Sequence, residues 1–427
     1  MDIIVVGFAL FSLFFGAGNL IFPPLLGKAY QSNWIISSLG FILTGVGLAS
    51  LAVISMAKKN GDVKEFTKVG GDKLARAIIW LIAITLGPLG AIPRTGATSA
   101  EVVIASGINI SYYLFVIVFF GLSLVVILKA NNVVDIIGKY LTPILLVVLI
   151  VMIIAGVVNP IGEIGASDIS RSHTFTHSAI EGYNTMDALS AIAFAPIIIH
   201  SLIKKGYSDD LLEKTIKVTL VATIGLGLVY LALTYLGASA SIRHANINSR
   251  TGLLVAIAES IMGSFGKYIL TAIIVLACFT TSVGLISSIS DMIDKITSDK
   301  YSYRFIAITI AIISMILSLV GVDQFVNLTS PLLSFAYPIV LVMICFNLTN
   351  IKTRQKPRIF TFSIIGIISL YQAIIAYVAM VSESVALRIS KLISWMPLYE
   401  MGFPWLIFFI IMFIYCIIDA QDKFYTK

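Results

Sequence analysis

Three polar constellations stand out against an otherwise apolar chain. The first is Phe14-Phe15-Gly16-Ala17-Gly18-Asn19-Leu20-Ile21-Phe22-Pro23-Pro24, in which glycines, an amide and two prolines interrupt a hydrophobic run. Lipid offers no water to backbone N–H and C=O groups, so such a break is tolerated only where the freed groups face protein or a watery cavity. The amides of Gly16, Ala17, Gly18 and Asn19 would open an outer half-helix that stops at Phe22-Pro23-Pro24. The positive end of that helix dipole suits a carboxylate. The alternative is that Gly16 and Gly18 serve only close helix packing.

The second constellation is Ala277-Cys278-Phe279-Thr280-Thr281-Ser282-Val283-Gly284, three successive hydroxyls in an apolar helix. Hydroxyls in membrane helices usually bond their own carbonyls one turn back. A neutral oxygen cluster also suits a small hard cation. If this helix packs on the first break, Thr280 and Thr281 can join carbonyls near Ala277, Ser12 and Phe15 as a Na⁺ site.

The third is a set of ionisable residues at or near membrane depth: Arg94, Glu101 and Asp187. Such charges are expensive and should face the bundle interior and pair. Arg94 and Glu101 lie two turns apart, too far for a one-turn pair. Arg94 with Asp187 is a candidate for a gate or for a purely structural ion pair. His173 and His177 have helical metal-ligand spacing but no third ligand, which favours solvated surface residues. No nucleophile–base pair or cluster of catalytic acids appears, so an enzyme is not expected.

The elements that must carry these residues follow from hydropathy. Of 427 residues, 58% are hydrophobic and 12% charged, outside the soluble globular range. About twelve transmembrane spans are expected, near 2–27, 34–57, 77–104, 112–128, 140–158, 182–203, 215–236, 266–290, 304–321, 325–349, 359–381 and 404–420. The first lacks a basic n-region, which argues against a cleaved signal peptide. The formal charge of +7 is distributed by side: 21 of the 29 lysines and arginines fall in loops on the side of both termini, seven in the opposite loops and Arg94 within a span. That bias predicts cytoplasmic termini rather than a nucleic-acid surface. Cys278, Cys345 and Cys416 all fall within spans and read as packing residues.

The sixth span carries Gly182-Tyr183-Asn184-Thr185-Met186-Asp187-Ala188-Leu189-Ser190-Ala191-Ile192-Ala193-Phe194-Ala195-Pro196. Its proline removes one amide and frees a carbonyl near Ile192. Interrupted first and sixth spans suggest two five-helix halves of inverted topology, 2–158 and 182–349, followed by two peripheral helices within 359–420. This is the plan of a secondary transporter. A short helix lying on the outer surface is expected around Val385–Ile393.

These blocks resemble the bacterial branched-chain amino acid:cation symporters, also called branched-chain amino acid transport system carrier proteins. The similarity covers Phe15–Pro24, Gly87-Pro88 with Ala91-Ile92-Pro93-Arg94-Thr95, Gly182–Leu189, Leu276-Ala277-Cys278 with Thr280-Thr281, and Pro397-Leu398-Tyr399. It implies an all-α integral membrane protein of LeuT-type 5+5 inverted-repeat fold. It further implies import of leucine, isoleucine and valine across the bacterial inner membrane. Ala277, Thr280 and Thr281 then look like cation ligands, and Gly16–Asn19 like the site of the substrate carboxylate. On that reading the ammonium meets carbonyls around Ser190, Ala191 and Phe194, while Phe14 and Phe194 line an apolar pocket. Ala195-Pro196 stands where a Phe-Gly type of break is expected. Na⁺ is favoured over H⁺ through Asp187 or Glu101 as the coupling ion. No other cofactor, nucleic acid or obligatory protein partner is expected beyond the lipid bilayer. The alternatives are a carrier of the same fold for another small apolar amino acid, a channel, or a membrane-embedded enzyme.

Overall fold

The computed structural model describes residues 2–129, 133–297, 300–349 and 354–425. Among the described residues every regular element is helical. In chain order these are α1 (Asp2–Phe14), α2 (Ala17–Tyr30), α3 (Trp34–Ile42), α4 (Leu48–Ala57), α5 (Val63–Thr67), α6 (Asp72–Leu86), α7 (Ala91–Ala105), α8 (Tyr112–Lys129) and α9 (Val133–Val158). There follow α10 (Arg171–Tyr183), α11 (Asp187–Lys204), α12 (Leu211–Ser239), α13 (Arg250–Ile296), α14 (Tyr303–Ser318), α15 (Val322–Thr349), α16 (Gln355–Val381), α17 (Glu383–Ser390) and α18 (Leu406–Tyr425). Seven helical stretches are long and apolar enough to cross a membrane, and five shorter apolar helices accompany them.

Side-chain periodicity decides which face each helix buries. On α12, Thr215, Val218, Ala222, Leu226, Tyr230, Leu233 and Gly237 are buried at three- and four-residue intervals, whereas Leu220, Ile224 and Leu228 are exposed. An exposed leucine–isoleucine stripe on a buried helix is what a lipid-facing surface requires.

Several boundaries differ from the sequence expectations. α2 continues through Pro23 and Pro24 instead of stopping there. Those prolines cost the carbonyls of Asn19 and Leu20 their usual donors, and helix crossings around them are tight. α11 likewise continues through Pro196; the interruption falls earlier, between Tyr183 and Asp187. The outer segment before it, expected as a polar loop, contains the helix α10. The span expected over 34–57 contains a π-helical turn at Leu43–Gly47, where the Thr44 hydroxyl donates to the Ala179 carbonyl at 2.5 Å. The Gly87-Pro88-Leu89-Gly90 segment separates α6 from α7. α13 reaches back to Arg250 and kinks at Gly263, whose φ of 67° favours glycine.

The interrupted helix pair is clamped to α12 by backbone contact. A Cβ at Gly237 would lie 1.9 Å from the Pro24 carbonyl oxygen, and one at Gly27 would lie 1.8 Å from that of Thr234. Membrane helices gain little from apolar burial against lipid, so close backbone approach carries much of their association. Gly237→Ala should therefore destabilise the protein by about 1–3 kcal/mol through overpacking. Thermal unfolding in detergent reads this, with Gly121→Ala, where a Cβ meets nothing within 4 Å, as the unaffected reference.

Candidate functional site

The first break is built from one amide side chain. Between α1 and α2, Gly16 is extended, with φ −109° and ψ −172°. Its N–H donates to the Phe14 carbonyl at 2.8 Å, so of the four amides expected to be free, this one is occupied. Ala17, Gly18 and Asn19 supply the first-turn N–H groups of α2, which have no intrahelical acceptor. The buried Asn19 side chain donates back to the Phe14 carbonyl at 3.0 Å and across to Asp187 Oδ2 at 2.8 Å. It also touches the Tyr230 hydroxyl, which donates to the same Asp187 oxygen at 3.3 Å. One residue thus caps the severed end of α1 and ties it to the start of α11.

The second break is held by Arg94. α10 ends at Tyr183, Met186 adopts a left-handed φ of 63°, and α11 starts at Asp187. The Thr185 hydroxyl donates to the Gly182 carbonyl at 2.9 Å and accepts from the Asp187 N–H at 3.3 Å. The Arg94 guanidinium donates to the carbonyls of Asn184 and Thr185. A cation at this helix C-terminus also suits its dipole. Among the described residues no ion pair within 4 Å joins Arg94 to Asp187, the candidate gate or structural pair. Carbonyls took the guanidinium, and neutral donors took the carboxylate. Glu101 is committed elsewhere: it accepts from the Val322 N–H and the Thr251 hydroxyl, each at 2.7 Å, and so caps α15.

A cavity of about 30 Å³ lies between the breaks, room for roughly one water and far short of an amino acid. Gly16, Gly18, Asn19, Arg94, Asp187 and Ser190 give it polar walls, and Leu13, Phe14, Phe194 and Leu285 give it apolar ones. Of the expected substrate residues, Ala191 is buried outside this lining, and only the backbone of Ala17 is described. Ser190, Ala191 and Phe194 sit within the continuous α11. The carbonyls between α10 and α11 are those of Asn184, Thr185 and Met186; Arg94 holds the first two and the Ser190 N–H donates to the third at 2.9 Å.

α13 does meet the first break. A Cβ at Gly16 would lie 3.8 Å from the Thr281 hydroxyl, and Thr281 lines the cavity. Thr280 instead donates to the Ala277 carbonyl at 2.9 Å, the local bond such residues commonly make. Ser12 lies in the last turn of α1 and Phe15 just beyond it, its ring stacked on Phe11.

On the side rich in lysine and arginine, a cavity of about 1480 Å³ approaches the same helices. Ala193, Pro196, Ile197 and His200 of α11 and Val283, Gly284 and Ser287 of α13 line it, starting within a turn of the small cavity's Phe194 and Leu285. On the opposite side the Phe22 ring is buried. It lies between the Arg94 and Arg250 guanidinium carbons, 5.5 and 5.3 Å from its centroid. Arg250 in turn pairs with Asp323.

His173 and His177 prove to be helical, with stacked rings. Among the described residues no group of three His, Cys, Asp or Glu is placed to hold a metal. Sequence reasoning missed Tyr230 and Thr185. The signal for Tyr230 was a phenol in the middle of an apolar span; Thr185 lay inside a quoted block without an assigned role.

Comparisons with known proteins agree with this architecture. A family model described as "Branched-chain amino acid transport protein" matches residues 1–423. The branched-chain amino acid permease BraB of Bacillus subtilis is 32% identical over 417 residues, covering 95% of this chain and 92% of the relative. The branched-chain amino acid transport system 2 carrier protein of Pseudomonas aeruginosa is 33% identical over 365 residues, covering 84% and 83%. The solved structure of Mhp1, a nucleobase-cation-symport-1 family transporter, superposes with a TM-score of 0.59 at 12% identity, covering 96% of this chain and 91% of that one. The last is a likeness of fold alone.

Removing the Asn19 side chain strips a donor from both a buried carbonyl and a buried carboxylate. Asn19→Ala should cost about 1–3 kcal/mol or more and lower the unfolding temperature in detergent beyond Tyr230→Phe, which removes the hydroxyl's contacts with Asn19 and Asp187 but leaves Asn19 on the Phe14 carbonyl and the carboxyl group. Equal shifts in the two variants would contradict the capping role.

Proposed function

Because the chain belongs to the family of branched-chain amino acid transport proteins, which are carriers and not enzymes, we propose that it is a secondary active symporter for leucine, isoleucine and valine. It works by alternating access in the bacterial plasma membrane, with both termini cytoplasmic, and Na⁺ is the coupling ion in preference to H⁺. The observation that carries this reading is the meeting of two helix interruptions at one small polar cavity. That cavity lies within one helical turn of a large basic-side vestibule.

In this reading α1 with α2, α6 with α7, and α10 with α11 each form one interrupted span. With α3–α4, α8, α9, α12 to α16 and α18 they make about twelve. The first five and second five form inverted halves of LeuT type, 2–158 and 182–349, and the last two, within 359–420, are peripheral. The substrate carboxylate meets the first-turn amides of α2 at Gly18 and Asn19. Phe14 and Phe194 face the branched side chain. Na⁺ is held by the Thr281 hydroxyl with oxygens near Ser12, Phe15, Ala277 and Thr280, supported by the seating of Thr281 against Gly16.

The present form is inward-facing in this reading: the vestibule is open and the outer side is closed over Phe22. Each ligand shifts the equilibrium between outward- and inward-open forms only by its differential affinity for them. Inward transport thus requires Na⁺ to favour the outward form and joint occupancy to permit closure.

Purified protein in proteoliposomes should accumulate radiolabelled leucine against its gradient when an inward Na⁺ gradient is imposed. Thr281→Ala should reduce the Na⁺-stimulated part about tenfold or more while leaving insertion intact, a loss of about one charge-assisted contact. Accumulation driven by a pH gradient alone, with unchanged Na⁺ dependence in the variant, would assign the coupling to H⁺ instead. Leucine flux without accumulation would indicate a channel.

A further inference from the structure

Two opposite charges line one buried cavity without touching. Arg94 is 4% exposed and Asp187 3%. Both face the cavity between the helix interruptions, and no ion pair joins them among the described residues. Each is incompletely compensated. The guanidinium meets the two neutral carbonyls and the Phe22 ring, and among the described residues its Nε–H has no acceptor. The carboxyl group meets neutral partners: Asn19 and Tyr230 on Oδ2, with the Thr185 hydroxyl beside it. Breaking up a buried pair is ordinarily costly because each charge is left without its counterion. Contact here would have been the simple outcome, yet the fold spends the guanidinium on Asn184 and Thr185.

Gly18 adds a second sign of purpose. A Cβ there would lie 2.7 Å from Arg94 Nη2, so only glycine lets the guanidinium lie against the first turn of α2. That brings a buried guanidinium beside the first-turn amides of Gly18 and Asn19, while the Asp187 carboxyl group stands at the start of α11. A zwitterion set between them has its carboxylate at the Arg94 end and its ammonium at the Asp187 end, and it replaces the missing counterion of each.

We propose that Arg94 and Asp187 are the two charged jaws of a zwitterion clamp. They restrict transport to molecules that carry both a free α-carboxylate and a free α-ammonium, and the apolar wall of Leu13, Phe14, Phe194 and Leu285 reads the side chain. This rests on the import reading above and specifies its recognition chemistry. In place of a gate pair between the two residues, it makes each a substrate ligand. The clamp excludes 2-oxo acids, which lack the ammonium, and alkylamines, which lack the carboxylate.

The test is competition against bound radiolabelled leucine by full-length protein in lipid nanodiscs. The competitors are 4-methyl-2-oxopentanoate and 3-methylbutylamine, which share leucine's side chain and keep one charge each. Wild-type protein should prefer leucine to either by about a hundredfold or more, as expected for a site whose buried polar groups are left unpaired by the analogue. Asp187→Asn should collapse the leucine-to-oxo-acid ratio below about tenfold and keep the leucine-to-amine preference. Arg94→Gln should do the reverse, and Arg94→Lys should restore most of the wild-type pattern. Variants too weak to capture leucine are read from the thermal shift each analogue gives directly: Asp187→Asn should respond to the oxo acid and wild type should not. If either variant weakens leucine and both analogues in proportion, or responds to neither analogue, the residues are structural and the clamp is wrong, although import stands. Wild-type protein that fails to bind leucine at all overturns the import reading and the clamp with it.

Discussion

A polypeptide that stops being helical inside lipid must find a partner for every main-chain group it exposes, and that demand governs this protein. An unpaired N–H or C=O there costs several kcal/mol, so the two interruptions persist only because specific side chains reach them. Asn19 answers for the Phe14 carbonyl, and Arg94 answers for Asn184 and Thr185. Asp187 then links the two repairs, since Asn19 donates to it from the first interruption and it opens the helix after the second. The polar centre of the bundle is therefore one connected structure. Its members are placed by backbone necessity before any ligand arrives.

The same centre explains the asymmetry of the molecule. Phe22, one turn into α2, is covered by two guanidinium groups on the side poor in basic loops, and the Arg250–Asp323 pair closes that side further. On the other side the walls of α11 and α13 diverge into the large vestibule. In the proposed alternating-access cycle, opening that side has Arg250 leave Phe22, Asp323 or both; the kink at Gly263 separates the Arg250 end of α13 from the segment bearing Thr281. The segment bearing Thr281 stays beside the first interruption. An occupant of the centre therefore touches helices that belong to both the closed and the open sides, which is the condition for a ligand to bias the equilibrium.

Much of this was legible in the residues. Gly16 and Gly18 in an apolar run announced the first interruption. Low charge announced the membrane, and the spread of lysine and arginine sorted the loops into two sides. Proline was the misleading signal. Pro23, Pro24 and Pro196 all lie inside helices, because in a packed bundle neighbouring helices tolerate the lost hydrogen bond and proline does not dictate where the chain turns. The second interruption is instead marked by Met186, whose left-handed backbone is imposed by its surroundings and leaves no trace in its residue type. Arg94 and Asp187 were recognisable by their depth alone as charges that should face the bundle interior. Their partners were not, since hydropathy says nothing about which carbonyl or amide lies opposite. Tyr230 was lost for the same reason: its role exists only once α12 is laid against the first interruption.

The claim at the centre is that main chain and charge at the two interruptions together form the grip for the transported molecule. A structure of the protein with leucine and Na⁺ bound in lipid nanodiscs tests it most directly. Leucine should lie between Gly18 and Asp187, its carboxylate within hydrogen-bond distance of Arg94 or the first-turn amides of α2, with the small cavity widened around it. Leucine held elsewhere, for example wholly within the vestibule, with α1–α2 and α10–α11 untouched, would contradict the account.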